Sequence, residues 1–211
     1  MAFPLIGALM LAGCAKLPER DPEPESTSDG REVLYFKDVE TMTATADIVV
    51  RGHVTEANKV GRWIGPPEGE GEGGDRDQMR LITLAIDEAF TSKIGDLPKE
   101  ISVEEGYWTA DGTGIQDSGV TWSKVGDVGY YFLTPISKGG YRLLNSQGRI
   151  SLSQDSAKSL DSGELVPTAD TDSEIFTQIK ELTPVELEEK IEKAEQDLRD
   201  GKIEPLEEGP R

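Results

Sequence analysis

The chain has 211 residues, room for one modest domain plus appendages. It carries 41 acidic against 22 basic residues, a formal net charge of -19, which repels nucleic acid and anionic lipid and argues against any phosphate-tracking role. One Cys and one His leave no internal disulfide and no zinc cluster of the Cys/His kind, and no cofactor is expected.

The chain opens on an apolar run, Phe3 to Met10, followed by the small residues Ala12 and Gly13 and then Cys14. Small residues behind an apolar core are what signal peptidases require, so residues 1–13 read as a signal peptide. The four residues Leu11-Ala12-Gly13-Cys14 resemble the lipobox of bacterial lipoproteins. That resemblance implies diacylglycerol on the Cys14 sulfur, a mature chain starting at Cys14, and a protein anchored to the extracytoplasmic face of a cell membrane. Two acyl chains suffice for stable anchoring, at roughly 0.8 kcal/mol per buried methylene. The apolar run is shorter than the roughly 20 residues that cross a bilayer. No Lys or Arg precedes it, a departure from the usual signal-peptide opening.

Residues 14–31 are rich in proline, acid and serine and read as a disordered tether. Fully extended, Ala15 to Arg31 would reach roughly 60 Å, well beyond the roughly 8 Å Debye length at a membrane surface.

Residues 32–153 are the candidate domain. Val39 to Ala46 predicts a short helix. Ile48 to Thr55 alternates as a strand, with Ile48, Val50, Gly52 and Val54 on one face and Arg51, His53 and Thr55 on the other. A Gly/Glu loop over 65–77 leads to a second strand at Met79–Asp87, and a turn around Gly95-Asp96 to a third at Glu100–Glu104. A Gly/Asp-rich loop, Ala110 to Gly119, precedes a fourth strand at Val128–Thr134, closed by Pro135. Gly140–Leu144 and Arg149–Leu152 predict a hairpin across Asn145–Gly148. Short strands at this spacing predict a mainly β fold, a small five- or six-stranded barrel.

The order Ala46-Asp47-Ile48-Val49-Val50-Arg51-Gly52-His53-Val54, Ile86-Asp87-Glu88-Ala89-Phe90, Gly95-Asp96, Ile101-Ser102-Val103 and Val125 to Leu133 is similar to netrin-like OB barrels, the class of the tissue inhibitors of metalloproteinases. The resemblance implies an OB-like barrel over roughly residues 38–152. The inhibitors clamp the protease zinc with a free N-terminal Cys; here the only Cys is far from the barrel or acylated, so that mechanism is not implied.

Residues 154–170 read as a Ser/Asp/Gly linker, and residues 171–211 as a helical appendage and tail. Thr171 and Glu174 suggest a capping box for a helix over Ser173–Leu182. Thr183, Pro184 and Glu186 supply N-cap, N1 proline and N3 glutamate for a second. Leu187, Ile191, Ala194 and Leu198 form its apolar seam, Glu186–Lys190, Glu189–Lys193 and Glu195–Arg199 its i,i+4 pairs, and Gly201 its stop.

Catalytic chemistry finds little supply. His53 reads as a surface strand residue, and no nucleophile turn, phosphate loop or dinucleotide fingerprint occurs. Asp170, Asp172, Glu174 and Glu181 have the spacing of EF-hand calcium ligands, but Ile175 stands where the loop needs Gly, so no metal site is expected. Tyr107, Trp108 and Trp122 flank the Gly-rich loop and are the candidate ligand-binding aromatics, suited to a sugar or peptide. The sequence therefore predicts a lipid-anchored, non-catalytic envelope module that binds a protein or glycan. The alternatives are a hydrolase using carboxylates in Ala110–Gly119 and a calcium-dependent adhesion module.

Overall fold

The structure, a computed structural model, describes residues 23–24, 26–28, 34–64, 76–117, 120–137, 139–153, 163–169 and 173–206. Cys14, the apolar run over 1–13, most of the tether, and Asp170 and Asp172 lie outside the described residues. The described elements run β1 (Ser26–Ser28), α1 (Val39–Thr45), β2 (Ile48–Ile64), β3 (Asp77–Ser92), β4 (Glu100–Trp108), β5 (Gly114–Asp117), β6 (Val128–Pro135), β7 (Tyr141–Leu143), β8 (Arg149–Leu152), β9 (Leu165–Pro167), α2 (Glu174–Lys180) and α3 (Pro184–Arg199). The chain is mainly β with C-terminal helices, as its patterning predicts.

All nine strands among the described residues belong to one sheet. β2 pairs antiparallel with β3 on one edge and β6 on the other, and β4 follows β3. β7 then joins the ends of this curved sheet, parallel to β4 through two residue pairs and antiparallel to β6 through three. The result is a partial ring of five strands rather than a clean barrel. β5 and β1 continue the sheet beyond β4, and β8 and β9 beyond β6.

Alternation along the strands creates two cores. Ile48, Val50, Val54, Ile82, Leu84, Ile101, Val103, Tyr131 and Leu133 fill the ring. Val49, Tyr130, Phe132 and Ile150, of opposite parity, face outward and are covered by α1, α2 and α3 through Met42, Ile175, Ile179, Leu187 and Ile191. The run Tyr130–Leu133 thus serves both cores, because each face of the sheet is covered. Where β2 and β6 oppose each other at Gly52 and Gly129, neighbouring strands come very close. A Cβ on Gly52 would sit 2.4 Å from the Ala85 carbonyl oxygen, and one on Gly129 2.5 Å from that of Ile150.

α3 starts as its sequence specifies. The Thr183 hydroxyl accepts from the Glu186 amide, the Glu186 carboxylate accepts from the Thr183 amide at 2.7 Å, and Pro184 opens the first turn. Leu187, Ile191 and Ala194 are fully buried, and the helix ends before Gly201, whose φ of 68° favours glycine. Polar contacts fix its position. The Tyr130 hydroxyl donates to Glu188 at 2.6 Å, Arg51 pairs with Glu188 and with Glu88, and Lys190 reaches Glu40 of α1 at 2.7 Å.

Five expectations are corrected. The 140–152 hairpin does not form: β7 and β8 lie one after the other along the same edge of β6, at Leu133–Pro135 and Gly129–Tyr131. The turn between them is held by Gln147, whose buried side chain accepts from the Phe36 amide and donates to its carbonyl. The tether is structured in part, because Ser26–Ser28 pairs with β5. The linker contains β9, whose Leu165 joins the outer core. Ser173 caps α2, its hydroxyl accepting from the Phe176 amide. Of the three i,i+4 pairs expected on α3, Glu195–Arg199 forms at 2.7 Å, whereas Lys190 turns to Glu40 and Lys193 to Asp197.

Candidate functional site

The expected aromatic site lies where β4, β5 and the segment before β6 meet, and it is largely interior. Trp108 is 1% exposed and Trp122 3%, with Tyr107 half-buried beside them. The two indoles meet edge to face, ring centroids 5.6 Å apart and planes at 75°. Trp122 packs close to Gly114, where a Cβ would fall 2.8 Å from the edge of the ring. These rings form a packed floor and offer no open stacking platform. The third tryptophan, Trp63, is 55% exposed on the outer part of β2.

Under that floor is a buried charge cluster that motif reading passes over. The Arg80 guanidinium stacks on Trp122, 4.6 Å from the ring centroid. It donates to the Glu105 carboxylate at 2.5 Å, to the Ser123 carbonyl at 2.6 Å and to the Asn58 side chain at 2.7 Å. Arg149 pairs with the other oxygen of Glu105 and donates to the Ser123 hydroxyl at 2.5 Å. Ser123 in turn gives both its amide and its hydroxyl to Glu105, each at 2.8 Å. Burial lowers the Arg80 pKa, opposed by the attraction of Glu105. Burial also pushes the nearby Tyr131 phenol up to about 12. Strand parity carries the signal for this cluster: Arg80 alternates with Ile82 and Leu84, Glu105 with Ile101 and Val103, and Arg149 lies opposite Tyr131.

Of the carboxylates in Ala110–Gly119, Asp111 is committed to local structure. Asp111 accepts from the Thr109 hydroxyl and from the Thr113 amide at 3.2 Å, and these bonds hold its pKa below the usual aspartate range. With Asp77, Thr109, Ala110 and Thr113 it lines an open polar depression of about 360 Å³. His53 is exposed on the outer face of β2 and lies 3.0 Å from Asp87. Among the described residues, no group of three or more His, Cys, Asp or Glu is placed to hold a metal ion. Of the EF-hand positions, Glu174 starts α2 and Glu181 caps its end. No helix among the described residues is long and apolar enough to cross a membrane.

The two ends of the described chain leave at opposite poles. At one, Glu23 and Pro24 lie against Gly114, with Glu23 paired to Lys124 at 2.6 Å, and β1 joins the sheet edge. At the other, the Leu206 amide donates to the Thr45 hydroxyl at 2.9 Å, and Lys93 donates to the Ala44 carbonyl at 2.6 Å. Ile94, next to Lys93, is 46% exposed and Leu206 39% exposed, so two apolar side chains flank the end of α1. β2, 17 residues long, runs between these poles, at most about 50 Å along the strand at 3.3 Å per residue. No protein-family model matches the chain, and no curated protein matches it.

Proposed function

We propose that the protein is a lipid-anchored module on the extracytoplasmic face of a cell membrane, held through acylated Cys14, that binds an envelope protein without catalysing a reaction. On this reading the domain is a netrin-like OB module, and its charged clusters serve to hold the fold together. The observation that carries the reading is the polarity of the molecule. The N-terminal segment is stitched to the sheet at one pole, and the exposed apolar residues Ile94 and Leu206 lie at the other, near the end of α1. An anchor at the first pole leaves the second facing away from the lipid, where exposed apolar side chains suit a protein contact.

The experiment is metabolic labelling with palmitate followed by cell fractionation, on the parent and on Cys14→Ser. Label and membrane recovery in the parent, both lost in the variant, support anchoring. An unlabelled parent recovered with soluble proteins refutes it. Photocrosslinking from position 94 in labelled cells then tests the contact pole. A discrete adduct abolished by Leu206→Glu supports it, and the absence of any adduct removes it.

A further inference from the structure

The docked N-terminal residues Glu23, Pro24 and Ser26–Ser28, together a strap, bear on the mechanics of anchoring. β1 runs parallel to β5, with Ser26 beside Ile115, and Glu23 and Pro24 lie against Gly114, the first residue of β5. Glu23 and Pro24 fit closely against Gly114: a Cβ there would lie 3.0 Å from the Glu23 carbonyl oxygen and 3.1 Å from the Pro24 Cα. Nine peptide links join Cys14 to Glu23 in sequence, a reach of at most about 30 Å, or half that of the whole tether.

The same pole carries Trp63. Across the sheet, Trp63 of β2 pairs with Gln78 of β3, Gln78 with Trp108 of β4, and Trp108 with Gly114 of β5, beside β1. Four strand spacings place Trp63 about 19 Å from the strap. Beyond Val54 the outer edge of β2 pairs with no described strand, and register shifts follow Val54, Glu56 and Val60. Asn58 there has a φ of 58°. Such irregularities blunt an edge against strand addition, so a contact at this arm is made by its side chains. An exposed indole held within a short leash of a bilayer has the amphipathic character that favours the headgroup region.

We infer that the docked strap orients the domain so that Trp63 seats in the headgroup region of the leaflet that holds the anchor. This rests on the anchoring reading above. The leaflet surface it suits is zwitterionic, because Glu68, Glu70 and Glu72 follow Trp63 closely in sequence and the whole chain is strongly acidic.

The test separates this inference from native acylation. The chain from Cys14 onward is coupled through its single thiol to maleimide lipid in phosphatidylcholine vesicles, so no cellular modification is needed. Trp108 and Trp122 are buried, so acrylamide quenching of tryptophan emission reports Trp63. Coupling is expected to lower the quenching constant at least twofold and to make emission sensitive to headgroup-proximal brominated lipid. Trp63→Phe abolishes both changes. Replacing Glu23–Ser28 by glycine-serine of equal length restores acrylamide access, as does one-third phosphatidylglycerol. Unchanged quenching on coupling overturns the inference, as does protection that survives strap replacement. Vesicle protection without palmitate label in cells removes the anchoring reading alone.

Discussion

Glu105 is the counter-charge for two interior arginines, and Glu105→Gln tests how much of the fold depends on it. Its two oxygens accept from Arg80, Arg149, and the amide and hydroxyl of Ser123. The side chains of all three ionised residues are no more than 3% exposed. Gln keeps the shape but removes the charge and turns one oxygen into a donor facing donors. Two guanidiniums then remain in the interior without an anion. Removing one partner of a buried pair costs about 3–5 kcal/mol. At about 2–4 °C per kcal/mol for a chain of this size, the melting temperature falls by about 10 °C. Urea unfolding read by circular dichroism, alongside a thermal melt, measures both. The triple change Arg80→Met, Glu105→Leu, Arg149→Met, which replaces the charges with apolar volume, is expected to recover most of the loss. A Glu105→Gln protein within about 1 kcal/mol of the parent, with an unchanged urea slope, would refute the claim that this carboxylate neutralises a buried cluster.

Two further outcomes follow from local geometry. Gly129→Ala forces a Cβ against the Ile150 carbonyl and is expected to cost about 1–3 kcal/mol; equal stability in urea would mean that β6 and β8 can separate freely. Glu186 has its pKa held below the ordinary glutamate value, first by the Thr183 amide and then by the Thr183 hydroxyl. A lowered folded-state pKa gives stability that is present above the unfolded value and is lost as pH falls through the folded one. Glu186→Ala should therefore melt below the parent at neutral pH, and the gap should narrow by about pH 3. A constant gap across that range would exclude the charged cap as its source.

Much of this architecture was legible where one physical rule acted alone. Period-two alternation put Ile48, Val50 and Val54 inside the ring, and the Thr183-Pro184-Glu186 signature marked the start of α3. Legibility failed where tertiary contact overrode local character. Ser26–Ser28 and Leu165–Pro167 are strands only because an existing sheet edge accepts them. The Asn145–Gly148 turn looked like a hairpin, since nothing in it reveals that Gln147 is bound to Phe36, 111 residues earlier. Trp108 and Trp122 suggested an open ligand face because large rings beside glycines read the same way whether they bind or pack. Arg80, Glu105 and Arg149 match no motif, although the alternation that located the core also places them in it. Ile94 and Leu206 carry no pattern at all; only folding brings them to the same pole.

The short strand β7 deserves a mechanical reading. Five residue pairs fasten it, two to β4 and three to β6, whereas its neighbours are bound to the rest of the sheet along much longer seams. The loop is therefore a clasp bracelet, strong in its links and shut by its weakest fitting. If the clasp opens, the links stay joined as a curved ribbon, and the hydrophobic filling is reached without dismantling either half.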